Sequence, residues 1–261
     1  MTDPMWARDR MFITDIGFTH RAAGDDVTGE LLVQPHLCVP GTTTVRPSVL
    51  ATVADVLLGV LASQATAPRV GMTVDLTVHS LASVAADRLT MVGRVLKAGR
   101  TIVVGEVWFN AAGHEQPVAL SELTFMASPR PQDVIPLPPS ERDWSDTRFE
   151  RPFADALGAR VLAPGVIEMD RDPYVLQPAG TIQGGAVALV AELAAETLSG
   201  RAVDDLQIRF LSAVRTGPAR SSARHLTRDT VRVEVRDASN GRLTSVAVAR
   251  VGAPLLSPSP M

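Results

Sequence analysis

Two stretches of the chain are apolar on nearly every side, and the rest alternates. Residues 46–55 and 183–192 each open on turn-forming or helix-starting residues, continue as an apolar run, and place one carboxylate, Asp55 or Glu192, nine residues after the first position. An apolar run without a polar face predicts a helix buried all round. Helices are expected from 46 to about 63, with Pro47 in the first turn and Ala67-Pro68 as the stop, and from 183 to 198. Around them, apolar and polar residues alternate with the strand period, as in Met72, Val74, Leu76 and Val78 against Thr73, Asp75 and Thr77. Strands are expected at 28–38, 71–78, 87–97, 101–110 and 118–126, and again at 158–169, 174–176, 205–211, 219–226, 230–237 and 243–251.

The order strand, buried helix, antiparallel strands therefore occurs twice. Asp75-Leu76 with Leu81 matches Asp205-Leu206 with Leu211, and Arg94-Val95-Leu96 matches Arg224-His225-Leu226. A repeat of this length is a duplicated domain, not a solenoid. Between the copies, residues 128–140 carry five prolines and few core formers, which predicts a stiff, extended linker. The expected organisation is residues 1–127, a Pro-rich linker at 128–147, and residues 148–261.

Composition narrows the classes. Hydrophobic residues make up 46% and charged residues 20%, ordinary for a chain that buries a core. A net charge of -3 argues against a general nucleic-acid binder, although residues 201–250 are locally basic, with arginines that suit an acidic small ligand. Arg220, Arg224, Arg228, Arg232 and Arg236 share one strand parity, which reads first as a solvated outer face. The single cysteine, Cys38, excludes an internal disulfide and a cysteine zinc cluster, and the five histidines show no metal spacing. Neither helix reads as long enough, or free enough of acid, to span a bilayer, and residues 1–12 lack a signal-like apolar core. A cytoplasmic protein without membrane or nucleic-acid partners and without a metal is expected.

A lone acid inside so apolar a helix is costly unless paired, hydrogen-bonded or used. Finding one at the same place in both copies favours use. Gly184-Gly185 supplies a second element, because glycines at a helix start let a ligand approach free N–H groups backed by the helix dipole. That is the requirement of an oxyanion hole.

On these residues the chain resembles the hot-dog fold thioesterases, especially the phenylacetate-pathway and 4-hydroxybenzoyl-CoA types. Their motif is His-Gly-Gly with an Asp or Glu nine positions after the His. Gln183-Gly184-Gly185 through Glu192 fits with Gln in place of His, and Arg46 through Asp55 keeps the acid but has Arg-Pro-Ser at its start. Gln177 stands six residues before Gln183, where the family often has Asn or Gln. The resemblance implies an α+β double hot-dog, each half a long buried helix wrapped by an antiparallel β-sheet. It also implies hydrolysis of an acyl-CoA thioester, with coenzyme A as part of the substrate and no separate cofactor.

Gly184 and Glu192 lie eight residues apart on one helix, about 12 Å, so they cannot both touch one carbonyl. The family pairs the amide of one hot-dog with the acid of its neighbour, which assigns Gly184 to Asp55. The converse pairing, Pro47 with Glu192, lacks an N–H donor at Pro47. The expected site is Asp55 as base or nucleophile, the Gly184 N–H as oxyanion donor, and Gln183 and Gln177 orienting water or the acyl group. Gly185 and Arg100 are expected to contact substrate, and Glu192 to belong to a degenerate second site. Two alternatives share the fold: a non-catalytic acyl-CoA binding protein, and an enoyl-CoA hydratase or dehydratase. Assembly of such pairs into a homo-oligomer is left open.

Overall fold

The computed structural model describes residues 11–130, 132–134, 136–177 and 179–255. The first half opens with the hairpin β1 (Phe18–Ala23) and β2 (Asp26–Leu32), followed by the helix α1 (Pro47–Thr66). The strands β3 (Gly71–Ser80), β4 (Arg88–Ala98), β5 (Ile102–Ala111) and β6 (Ala119–Ala127) come next. A connecting region carries β7 (Glu141–Asp143) and the single turn α2 (Phe153–Ala156). The second half repeats the plan with the hairpin β8 (Ala159–Ala163) and β9 (Val166–Met169), the helix α3 (Gly184–Ser199), and β10 (Arg201–Phe210), β11 (Ala219–Thr227), β12 (Thr230–Asp237) and β13 (Arg242–Pro254).

Among the described residues all thirteen strands join one antiparallel sheet, in the order β7-β1-β2-β4-β5-β6-β3-β10-β13-β12-β11-β9-β8. Apart from β7, the second six strands mirror the first six. The junction is β3 against β10, and its register places Thr77 opposite Gln207, which are equivalent residues 130 positions apart. A pseudo-two-fold axis therefore passes through that pair, and α1 and α3 face each other across it.

Each helix follows from its sequence. Pro47 starts α1 where no N–H is needed, and Ala67, held out of the helical region before Pro68, ends it at φ -46°, ψ 142°. The Gln183 side chain caps α3, and Gly200 closes it in the left-handed region at φ 68°. Val49, Val53, Leu57 and Leu61 of α1, and Val187, Leu189, Val190 and Leu193 of α3, are buried in one continuous core. At 20 residues α1 runs a turn beyond the expected end and, by length and apolar composition, meets the measure of a membrane span, which corrects the expectation that neither helix would. Most of that apolar surface is covered by the protein's own strands and by α3.

The connections depart most from the sequence reading. The strand expected at 28–38 stops at Leu32 and gives way to a 3-10 turn at Pro35–Leu37, while β1 was not anticipated. The strand expected at 174–176 is a 3-10 turn, Pro173–Val175, capped by the Asp172 carboxylate accepting from the Tyr174 N–H. The expected strand 158–169 is two strands, reversed at Gly165 with φ 78°. The described residues within 128–140 bend at Pro129 and Arg130 and turn at Gln132, and they do not act as a free spacer. The Val70 N–H donates to Asp133 O, Ser128 Oγ donates to Asp133, the Ala22 N–H donates to Ser140 O, and β7 then adds to the edge of β1. Pro131, Ile135 and Pro178 lie outside the described residues, as do residues 1–10 and 256–261.

Candidate active site

Asp55 stands on α1 where that helix meets the start of α3. Its Oδ2 accepts from Gln183 Nε2 at 2.8 Å and its Oδ1 from Thr73 Oγ1 at 2.5 Å. A Cβ placed on Gly184 would stand 3.3 Å from Asp55 Oδ2 and 3.4 Å from Phe210 Cζ, so the bare glycine backbone faces the carboxylate directly. The Gly184 N–H, at the first helical position, has no acceptor among the described residues. The surrounding protein strips water from Asp55 and raises its pKa to about 6, while the Thr73 hydrogen bond works in the opposite direction.

Gln183 does two jobs with one amide. Its Oε1 caps α3 by accepting from the Gly185 N–H at 2.5 Å and the Ala186 N–H at 3.3 Å, which leaves Nε2 aimed at Asp55. One N–H of Nε2 holds the acid, and the second donor of the same NH2 group stays available to a water or an acyl group in the cavity that Gln183 lines. Gly185 does not line the cavity. Its role is steric: a Cβ there would lie 1.8 Å from Thr52 Oγ1 and 2.8 Å from Thr52 Cα, so only glycine lets α1 and α3 cross this closely.

Thr73 is a site residue that the alternation of β3 concealed. By that alternation it belongs with Asp75 and Thr77 on the outer face. A β-bulge between Thr73 and Asp75 shifts the register, so that Thr73 pairs with buried Phe125 and turns inward to Asp55. The same irregularity recurs in β10 around Val203, the equivalent of Thr73.

Site residues in the two halves correspond at an offset of 137 along the helices, Arg46 to Gln183 and Asp55 to Glu192. At the second position Arg46 Nη1 donates to Glu192 Oε1 at 2.6 Å and to Glu196 Oε2 at 2.9 Å, and the Ser48 N–H donates to Glu192 Oε2 at 2.8 Å. The three charged side chains are 0–6% exposed, so this cluster is closed to a substrate. Glu192 meets the amide region beside Pro47, as the cross-pairing implied, but as a buried ion pair. Burial and the neighbouring Glu192 push the Glu196 carboxyl up to about 7, against the pull of Arg46.

The Asp55 side opens to a cavity of about 560 Å³, within the usual range for small-molecule sites. Asp55, Thr73, Gln183 and Gln177 line it, together with apolar residues of α1, the N-terminal turn, and Pro138, Pro139 and Trp144 from the connecting region. Gln177 contributes to the wall, with its Nε2 donating to Thr181 Oγ1 at 2.5 Å. Arg100 is exposed in the β4–β5 turn, where its carbonyl accepts from Arg69 Nη2 at 3.2 Å, and it is not part of the cavity wall. The arginines Arg220, Arg232 and Arg236 form ion pairs with Glu168 or Glu234 on the outer sheet face. No group of three or more potential metal-ligating His, Cys, Asp or Glu residues occurs among the described residues.

The family model of the thioesterase superfamily matches residues 44–118, which contain α1 and Asp55. The 12:0-ACP thioesterase from Umbellularia californica superimposes with a TM-score of 0.61 at 8% identity, covering 89% of this chain and 99% of its own. An acyl-ACP thioesterase from Bacteroides thetaiotaomicron gives 0.60 at 11% identity, with 87% and 98% covered. A protein of unknown function with a hot-dog fold from Alicyclobacillus acidocaldarius gives 0.53 at 14% identity, with 93% and 98% covered. No curated protein matches the sequence. The fold is the α+β hot-dog, and at these identities the structural likeness establishes the fold alone.

Proposed function

We propose that the chain is a tandem pair of hot-dogs that hydrolyses an acyl-CoA thioester at one site per chain. The observation that carries this reading is the approach of Gly184, at the start of one helix, to the Asp55 carboxylate of the other, with Asp55 and Gln183 in the wall of an open cavity. The thioesterase-superfamily match across Asp55 supports the same reaction.

In this reading the thioester carbonyl oxygen accepts from the Gly184 N–H, where the dipole of α3 favours the negative charge that develops. Asp55 takes a proton from a water molecule as the water oxygen bonds to the carbonyl carbon. The tetrahedral intermediate then collapses with cleavage of the C–S bond, and Asp55 returns the proton to the departing thiolate. A carboxyl with a pKa of about 6 is ionised at neutral pH yet basic enough to take part in both transfers. Gln183 holds the acid in place, and Thr73 tunes it.

The test is release of free thiol from a panel of acyl thioesters on coenzyme A and on a carrier protein. Asp55→Asn is expected to lower kcat/KM by at least about 100-fold, and the wild-type profile is expected to fall on the acid side with a midpoint near pH 6. Equal rates for wild type and Asp55→Asn would leave a binding protein as the reading. Turnover confined to the carrier-linked substrates would replace coenzyme A.

A further inference from the structure

Gly59 has no packing reason to be glycine. It lies inside α1, four residues beyond Asp55, and a Cβ placed there meets nothing within 4 Å. An interior helical glycine is less favourable than alanine, and here neither a tight crossing, as at Gly185, nor a left-handed backbone calls for it. What its bare backbone does is line the cavity. Val56 and Val60 flank it, and Ser63 continues the same row.

The second half shows what a side chain here would do. The residue equivalent to Gly59 at the offset of 137 is Glu196, whose carboxylate reaches Arg46 and helps close the other site. One half fills this position, and the other leaves it empty.

The row from Asp55 to Ser63 spans about 12 Å of helix, roughly the length of an extended decanoyl chain. It is cleared by the loss of one side chain between two valines, a width suited to a single alkyl chain. Ile13, Phe125 and Trp144 add apolar surface to the same cavity. We propose that Gly59 is a specificity-determining residue, and that the groove over it takes an unbranched, medium-length aliphatic acyl chain from the thioester held at Gly184. This deepens the proposed hydrolysis and rests on it.

The experiment compares kcat/KM for acetyl-, hexanoyl-, decanoyl- and palmitoyl-CoA in wild type, Gly59→Ala and Gly59→Leu, with a thermal melt of each. Wild type is expected to favour the medium chains. Gly59→Leu is expected to lower the decanoyl-to-acetyl ratio by at least about tenfold, while Gly59→Ala melts no lower than wild type and shifts the ratio far less. An unchanged ratio in a folded Gly59→Leu protein overturns the proposal, and Gly59→Val is read in the same way should the leucine variant not fold. If wild type cleaves none of these thioesters, the acyl-CoA reading fails and the groove is tested by binding of the thioether S-decyl-CoA. Weaker binding by the Gly59 variant then supports the groove, and equal binding overturns it.

Discussion

Asp55 shows how two hydrogen bonds and one dry surface set the character of a single carboxylate. Burial raises its pKa and Thr73 lowers it, so removing the hydroxyl has a predictable sign. Thr73→Val is expected to move the acid limb of the kcat/KM profile to higher pH. The loss should be severalfold to about tenfold near pH 6 and smaller at pH 8, as suits one hydrogen bond to a charged group. A limb that stays in place would show that Thr73 does not act on the acid. At this scale the sequence revealed Asp55, Gly184 and Gln183, because motif spacing fixes which residues stand at a helix start and one face beyond it. It did not reveal Thr73, whose inward turn depends on a bulge that strict alternation cannot encode. Nor did it show that Gln183 would spend its oxygen on capping α3 and only its NH2 on the acid.

Between elements, the crossing of α1 over α3 is the contact on which the site depends. Gly185→Ala places a methyl group inside the reach of Thr52 Oγ1, Cβ and Cα, and the backbone atom cannot rotate away. The helices must separate, at a cost of about 1–3 kcal/mol. A thermal melt should show a fall of several degrees, with a larger relative loss of turnover because Asp55 and Gly184 move apart. Both helices were legible from their apolar runs, and Pro47 and Pro68 mark the ends of the first. The connecting region was only partly legible. Its prolines predict an extended path, but the hydrogen bonds that tie it to Val70 and Ala22, and the placement of Pro138, Pro139 and Trp144 in the cavity wall, depend on partners distant in sequence.

For the whole molecule, near-symmetry in the sheet coexists with opposite fates for the two helix starts. The Arg46 cluster holds two carboxylates for one guanidinium, and Glu196 carries the raised pKa of about 7. A carboxyl whose folded pKa lies above its unfolded value stabilises at low pH, and that contribution is lost as pH rises through the folded value. Stability should therefore decline between about pH 4.5 and 7 through this group. Glu196→Gln is expected to flatten that decline, melting higher than wild type at pH 8 and close to it at pH 5. The opposite ordering would show that Glu196 is held ionised by Arg46. The repeat itself was plain in the order of strands and helices. The sealing of one half was not, because it requires Arg46 to reach two acids more than 140 residues away in the chain.

The distance in sequence between Asp55 and Gly184 has a consequence during synthesis. The helix that carries the acid leaves the ribosome well before the residues that complete the site, and its apolar face toward α3 has no cover until Gly184–Ser199 has been translated. The nascent first half therefore presents that apolar face until its own later sequence arrives. A ribosome stalled within residues 148–183 would display Asp55 without the Gly184 that faces it in the finished fold.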